Sequence, residues 1–206
     1  MSAKGAAESG RLATVSAALL IGGASSRMGR DKAKIEYDGV PAATRLSRLL
    51  GGLFEEVLIV GGDPPPDAVG RRVPDVPGPQ CALRGIVSAL AAARAERVLV
   101  LATDLPCVTP DLLLALVAWP EADVVVPRNE HGLHPLCALY RRDPVLERAR
   151  VNLAEERLRL RPLLEAVDTS EFGSAEIALV DPEGAALENV NTPEELARLL
   201  ASSAGR

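Results

Sequence analysis

Apolar residues fall along this chain in short continuous runs, separated by stretches with helical spacing. Val15–Ile21 is one such run, and it stops at Gly22-Gly23. Val57–Val60 runs into Gly61-Gly62 and a Pro64–Pro66 loop, and Arg97–Thr103 stops at Asp104. Runs of this length, bounded by glycine or turn residues, predict strands buried on both faces. Ala122–Val126 and Pro135–Tyr140 predict a fourth and a fifth strand.

Helical patterns lie between these runs. Pro41–Leu53 carries Ala42, Leu46, Leu49, Leu50 and Leu53 at helical spacing, Leu83–Ala95 is alanine-rich, and Asn152–Leu164 predicts a charged amphipathic helix. Thr109-Pro110-Asp111 supplies an N-cap followed by proline at the first helical position. Asn191-Thr-Pro-Glu-Glu-Leu196 opens a last helix in the same way. Strands alternating with helices at this tempo predict an α/β fold, with a mostly parallel central sheet between two helical layers. Without repeats or a low-complexity linker, residues 15–206 read as a single domain. Residues 1–14 lack the apolar core of a secretory signal and read as a short mobile N-terminal extension.

Composition narrows the function classes. Hydrophobic residues at 48% and charged residues at 25% exclude a disordered or collagen-like chain. A net charge of −5 with 2% aromatic residues argues against a nucleic-acid partner. The apolar runs are too short to span a bilayer, so no membrane partner is expected. Three scattered cysteines (Cys81, Cys107, Cys137) with no CxxC pair predict no disulfide framework and no structural zinc, and point to the cytoplasm.

In a parallel sheet, ligands sit beyond the carboxyl ends of the strands. The runs ending at Gly22-Gly23, Gly61-Gly62 and Asp104 should share that edge. After the first of them comes Leu20-Ile-Gly-Gly-Ala-Ser-Ser-Arg-Met-Gly-Arg-Asp-Lys32, with three glycines, two serines, two arginines and a lysine. Glycines let backbone amides approach an anion closely, and the cations neutralise it, so the loop reads as a polyphosphate cradle. The alternative is a surface turn with solvated arginines. The order is neither GxxxxGK[ST] nor GxGxxG, which removes the Walker and dinucleotide-binding readings. Of only three lysines in the chain, Lys32 closes this segment and Lys34 lies two residues beyond it.

Leu20-x-Gly-Gly-x-Ser-x-Arg-Met-Gly-x-Asp-Lys32 resembles the signature of the molybdenum cofactor guanylyltransferases. Thr103-Asp-Leu-Pro106, His134-Pro-Leu-Cys-Ala-Leu-Tyr140 and Asn189-Val-Asn-Thr-Pro-Glu-Glu-Leu196 are similar to three further segments of that family, in the same order. The resemblance covers nearly the whole chain after Val15. It implies a Rossmann-like three-layer sandwich of the nucleotide-diphospho-sugar transferase type. The implied reaction transfers GMP from GTP to the phosphate of molybdopterin, or its molybdenum form, and releases pyrophosphate. The implied cofactor is Mg2+, and molybdoenzyme apoproteins or their chaperones are implied as recipients.

The attacking oxygen in that reaction belongs to a phosphate and is already an anion, so no general base is needed. The obstacle is charge crowding at the α-phosphorus. The resemblance makes Asp104 the metal ligand and a nucleotide contact, where the residues alone allow a turn cap. Lys32 and Arg27 become the catalytic cations on the phosphates, with Gly29 in the same loop. Leu20, Ile21, Gly22 and Gly23 present backbone to the nucleotide, and Gly61 stands beside them. Asp75, in Pro74-Asp-Val-Pro77, is a second nucleotide-side acid or a turn residue. His134, Asn189 and Asn191 belong to the acceptor side, with Asn191 equally readable as an N-cap. Arg30 and Lys34 read as solvated, Asp31 as an orienting partner, and Cys107 as packing.

The second loop departs from the family's Gly-Pro-Leu-x-Gly-Ile. This chain has Cys81-Ala-Leu-Arg-Gly-Ile86, keeping Leu83, Gly85 and Ile86 but placing Arg84 where a small residue is usual. Arg84 is a further candidate for a phosphate contact. The rival readings are a cytidylyltransferase of the same superfamily and a nucleotide-binding regulatory module without turnover. Gly22, where those relatives carry alanine, favours guanine. Lys32 and Asp104 together favour an enzyme over a binder.

Overall fold

The computed structural model describes residues 10–21, 36–37, 39–190 and 195. In chain order the first elements are β1 (Leu12–Leu20), β2 (Glu36–Tyr37), β3 (Val40–Pro41), α1 (Ala42–Leu53), β4 (Phe54–Val60), β5 (Arg71–Val73) and α2 (Ala82–Ala92). Next come β6 (Arg97–Ala102), α3 (Pro110–Ala118), β7 (Val124–Asn129), β8 (Gly132–Leu133) and β9 (Cys137–Arg141). The remainder is α4 (Arg142–Ala154), α5 (Arg161–Leu164), β10 (Thr169–Phe172) and α6 (Ser174–Val180).

The main sheet runs β10-β7-β9-β6-β1-β4-β5, with β8 paired to β7. β6, β1, β4 and β5 are mutually parallel, as are β7 and β10, while β9 runs antiparallel between β6 and β7 and β8 pairs antiparallel with β7. The predicted α/β class and three layers are what the chain adopts. Side chains of the central strands alternate between two cores, as a period of two requires. Val15, Ala17 and Leu19 of β1 join Ile59, Leu99 and Leu101 beneath α1, α3 and α6. Ala18 and Leu20 join Leu58, Val60, Val98 and Val100 beneath α2, α4 and α5. Both faces are apolar because both are covered.

β1 begins at Leu12, three residues before the predicted start, so residues 12–14 belong to the sheet rather than to an extension. The predicted Asn152–Leu164 helix is incorrect. The observed helix is α4, which closes at Ala154, and the chain turns through Glu156 at φ 54° before the short α5. Its buried apolar stripe is Val145, Ala149 and Leu153, with Asn152 buried beside them. Pro144 lies in its first turn, where a missing N–H costs nothing. Thr109 caps α3 as predicted, its hydroxyl accepting the Leu112 N–H at 3.3 Å. The last predicted helix lies, apart from Glu195, outside the described residues.

Candidate active site

The carboxyl ends of β4, β1 and β6 are adjacent, which brings the predicted loops to one edge of the sheet. Leu20 ends β1 and Ile21 follows it, their side chains in opposite cores. Only their backbone is available at the edge, and the Ile21 N–H is already committed to the Val60 carbonyl at 3.0 Å. Gly61 continues from β4 at φ 78°, a left-handed conformation that glycine adopts without a steric cost, and donates its N–H to the Val73 carbonyl at 3.0 Å. That bond ties the end of β4 to the end of β5. Asp75 follows two residues later, at the same edge.

Asp75 is half-buried and paired with Arg84, whose Nη2 lies 2.8 Å from Oδ2. Arg84 also donates to the Gly78 carbonyl at 3.0 Å. Within the protein the structure uses Arg84 to hold its own loop, with one N–H of each terminal nitrogen given to Asp75 and the Gly78 carbonyl. Gly85 follows, and a Cβ there would stand 3.3 Å from Leu20 Cδ1. The first turn of α2 rests directly on the end of β1 because this position has no side chain.

Asp104 lies two residues past β6, half-buried. Its backbone carbonyl accepts the Val190 N–H at 2.8 Å. Among the described residues, none hydrogen-bonds to its carboxylate. A single carboxylate with free lone pairs, at the mouth of a parallel sheet, fits a hard cation that takes its other ligands from water and phosphate oxygens. The described residues contain no group of three or more His, Cys, Asp or Glu arranged for a metal.

His134 stands in the turn before β9 rather than in the strand itself. Its carbonyl accepts the Cys137 N–H at 2.9 Å and its N–H donates to the Pro127 carbonyl at 2.9 Å. Tyr140, fully buried, donates its hydroxyl to the Pro135 carbonyl at 2.6 Å and pins this turn from below. Sequence reading missed that anchor, although Tyr140 was visible as the one polar-tipped residue of the run. Burial, then the neighbouring His131, hold the His134 imidazole below its ordinary value against the opposing charges of Glu188 and Asp104. The ring is neutral near pH 7, and its buried Nε2 has no partner among the described residues. Asn189 is exposed beside the Val190–Asp104 bond. Asp75, Asp104, His134 and Asn189 thus all lie in loops at this edge of the sheet. Gly22, Gly23, Arg27, Gly29, Lys32 and Asn191, with Arg30, Asp31 and Lys34, lie outside the described residues.

Cys107 is half-buried, and its thiol is raised by burial and by Asp181, against Arg45. Cys137 is fully buried, and its thiol is pushed up to about 12. Neither is an activated nucleophile.

Residues 17–170 match the MobA-like NTP transferase domain. A probable molybdenum cofactor guanylyltransferase of Chloroflexus aggregans is 35% identical over 191 residues, covering 88% of this chain and 91% of the relative. One from Pelotomaculum thermopropionicum is 35% identical over 198 residues, covering 90% and 92%. The crystal structure of molybdopterin-guanine dinucleotide biosynthesis protein A from Archaeoglobus fulgidus superposes with a TM-score of 0.77 at 19% identity, covering 93% of this chain and all of that one.

Proposed function

The chain belongs to the MobA-like nucleotidyltransferase family, and from that membership we propose how its residues carry out guanylyl transfer. It is a nucleotidyltransferase that moves GMP from GTP in the synthesis of the guanine dinucleotide form of the molybdenum cofactor. The acceptor is molybdopterin or its molybdenum form, and pyrophosphate leaves.

The observation that carries the assignment of roles is the sheet edge shared by Leu20-Ile21, Gly61, Asp75 and Asp104. GTP lies along it. The backbone from Leu20 to Gly23, with Gly61 and Asp75, holds the nucleoside end. Arg27, Gly29 and Lys32 hold the triphosphate. Asp104 takes a divalent cation, Mg2+, which when bound offsets the charge that builds on the α-phosphate. Asp104 is fit for this because no donor among the described residues consumes its carboxylate.

His134, Asn189 and Asn191 receive the acceptor. A neutral His134 can donate to or accept from a pterin or phosphate without adding charge, and Asn189 offers both kinds of group. The acceptor phosphate is an anion already, so the chain supplies no base. Its work is to bring two anions within reach and hold them in line. Among the described residues no helix is long and apolar enough to cross a membrane. We place the reaction in the cytoplasm, with the product passing to molybdoenzyme apoproteins or their chaperones.

A thermal-shift panel of GTP, CTP, ATP and UTP, each with magnesium, tests the reading. A ligand that binds only the folded chain raises its apparent stability by RT ln(1 + [L]/Kd). GTP should give the largest shift. A larger shift with CTP would transfer the chain to the cytidylyl reading.

A further inference from the structure

The Arg84 guanidinium occupies a place that helix electrostatics disfavours. It stands in the first turn of α2, near the positive end of the helix dipole, and that turn has no acidic residue. Nη2 binds Asp75 Oδ2 and Nη1 binds the Gly78 carbonyl, so one side chain grips the β5–α2 loop at two points. The Nε is buried and has no hydrogen-bond partner among the described residues. Departures from local preference concentrate where they serve a site.

Ser88, one turn further along the same helix, completes the clasp. Its hydroxyl donates to the Arg84 carbonyl at 2.8 Å and accepts the Val76 N–H at 2.9 Å. The same hydroxyl is 3.5 Å from Asp75 Oδ1, the limit of a hydrogen bond. The two oxygens of Asp75 are therefore unequal. Oδ2 is committed to Arg84, and Oδ1 keeps free acceptor capacity. Gly85, the next residue, abuts Leu20, so the turn that holds Asp75 is also the turn seated on the end of β1.

We propose that Arg84 is a positioning residue: it holds Asp75 so that Oδ1 accepts a neutral donor of the bound guanine nucleotide, a base N–H or a ribose hydroxyl. The assignment rests on the reading of Asp75 as a nucleotide contact. The triphosphate is the wrong partner for Asp75, since a carboxylate repels it. The Arg84 guanidinium is turned to its own loop, with one N–H of each terminal nitrogen on Asp75 and the Gly78 carbonyl. An interaction with the nucleoside end is made in the ground state and the transition state alike, so its loss appears in Kd and KM rather than in kcat.

The test measures GTP affinity by titration calorimetry, and kcat and KM by pyrophosphate release with molybdopterin, on the full chain. Wild type, R84A, R84K, D75N and D75N/R84A form the series. R84A should raise Kd and KM for GTP about tenfold with kcat changed less than about twofold. R84K should recover part of the affinity, because an ammonium can keep one contact to Oδ2. The double variant should bind no more weakly than D75N alone, since the two residues act as one unit. Wild-type affinity in R84A, additive losses in the double variant, or a fall in kcat at unchanged KM would each overturn the assignment. The last outcome would put Arg84 on the phosphates. If R84A does not melt cooperatively, R84M takes its place beside R84K, and wild-type affinity in R84M is again fatal. A wild type that prefers CTP removes the guanylyl reading and leaves the Arg84 comparison to be read with CTP. A wild type that binds no nucleotide removes both.

Discussion

The Asp104 carbonyl and the Val190 N–H are joined by a 2.8 Å hydrogen bond across 86 positions of sequence. The bond sets Asn189 beside the end of β6, so the segment proposed to receive the acceptor meets the carboxylate proposed to take the cation. Because it uses the backbone oxygen, it survives any change in the Asp104 side chain. Structure and chemistry at this residue are therefore separable by mutation.

Asp104→Asn should accordingly keep the fold and lose the reaction. The amide matches the carboxylate in shape but brings no negative charge to a hard cation. Turnover at ordinary magnesium should fall by about a hundredfold or more, with the melting temperature within about 2 °C of wild type. Pyrophosphate release and a thermal melt read the two parts, and full activity would remove Asp104 from the metal.

Lys32 should act on charge that develops at the α-phosphate and the leaving pyrophosphate. Lys32→Ala should lower kcat/KM by about a hundredfold, or about 2.7 kcal/mol. Lys34→Ala is the control, two residues away with the same chemistry. Equal losses in steady-state kinetics of the two variants would reduce the segment to a basic patch. A rise in KM alone for Lys32→Ala would move the catalytic role to Arg27.

Glu56 gathers three elements at the far end of the sheet. Its carboxylate accepts the Ser16 hydroxyl at 2.6 Å, the Arg94 N–H at 2.8 Å and the Arg71 guanidinium at 3.1 Å. Burial raises its pKa, but the Ser16, Arg94 and Arg71 bonds and the Arg71 charge together outweigh it, holding the group below 4.5. A carboxylate with a lowered folded value stabilises fully above its unfolded value and loses that contribution as pH falls through the folded one. Glu56→Gln should cost about 2 kcal/mol at pH 7 and lower the melting temperature by about 4–8 °C. Melts of both proteins at pH 7 and at about pH 3.5 should show the gap narrowing at the lower value. A gap that does not change with pH would contradict the role given to the charge.

The chain's local patterns determined the layers and the edge where the site lies. β1 reads as a buried strand because successive residues are apolar, and Ala17 and Leu19 enter one core while Ala18 and Leu20 enter the other. α3 reads from Thr109-Pro110 because a cap and a fixed φ act within one turn. The first-loop motif and the Asp104 segment carried the family resemblance for a similar reason: each is a set of particular residue types at short spacing, directly after a strand.

Only the tertiary structure decided what depends on partners distant in sequence. β5 buries one residue of three, Val73, and β10 buries Phe172 alone. Neither has a pattern of its own, and each is a strand because a neighbour offers it a hydrogen-bonding edge. α4 looks too polar for a core helix, and its three-residue stripe becomes meaningful only under α2. The antiparallel placement of β9 is likewise a choice between sheet positions that its sequence fits equally well. Asp75 and Arg84 are nine residues apart, yet nothing local shows that the first turn of α2 faces back over its own loop. Period and capping are properties of neighbours in the chain. Register, strand order and ion pairing are properties of surfaces that come into existence only when the layers close.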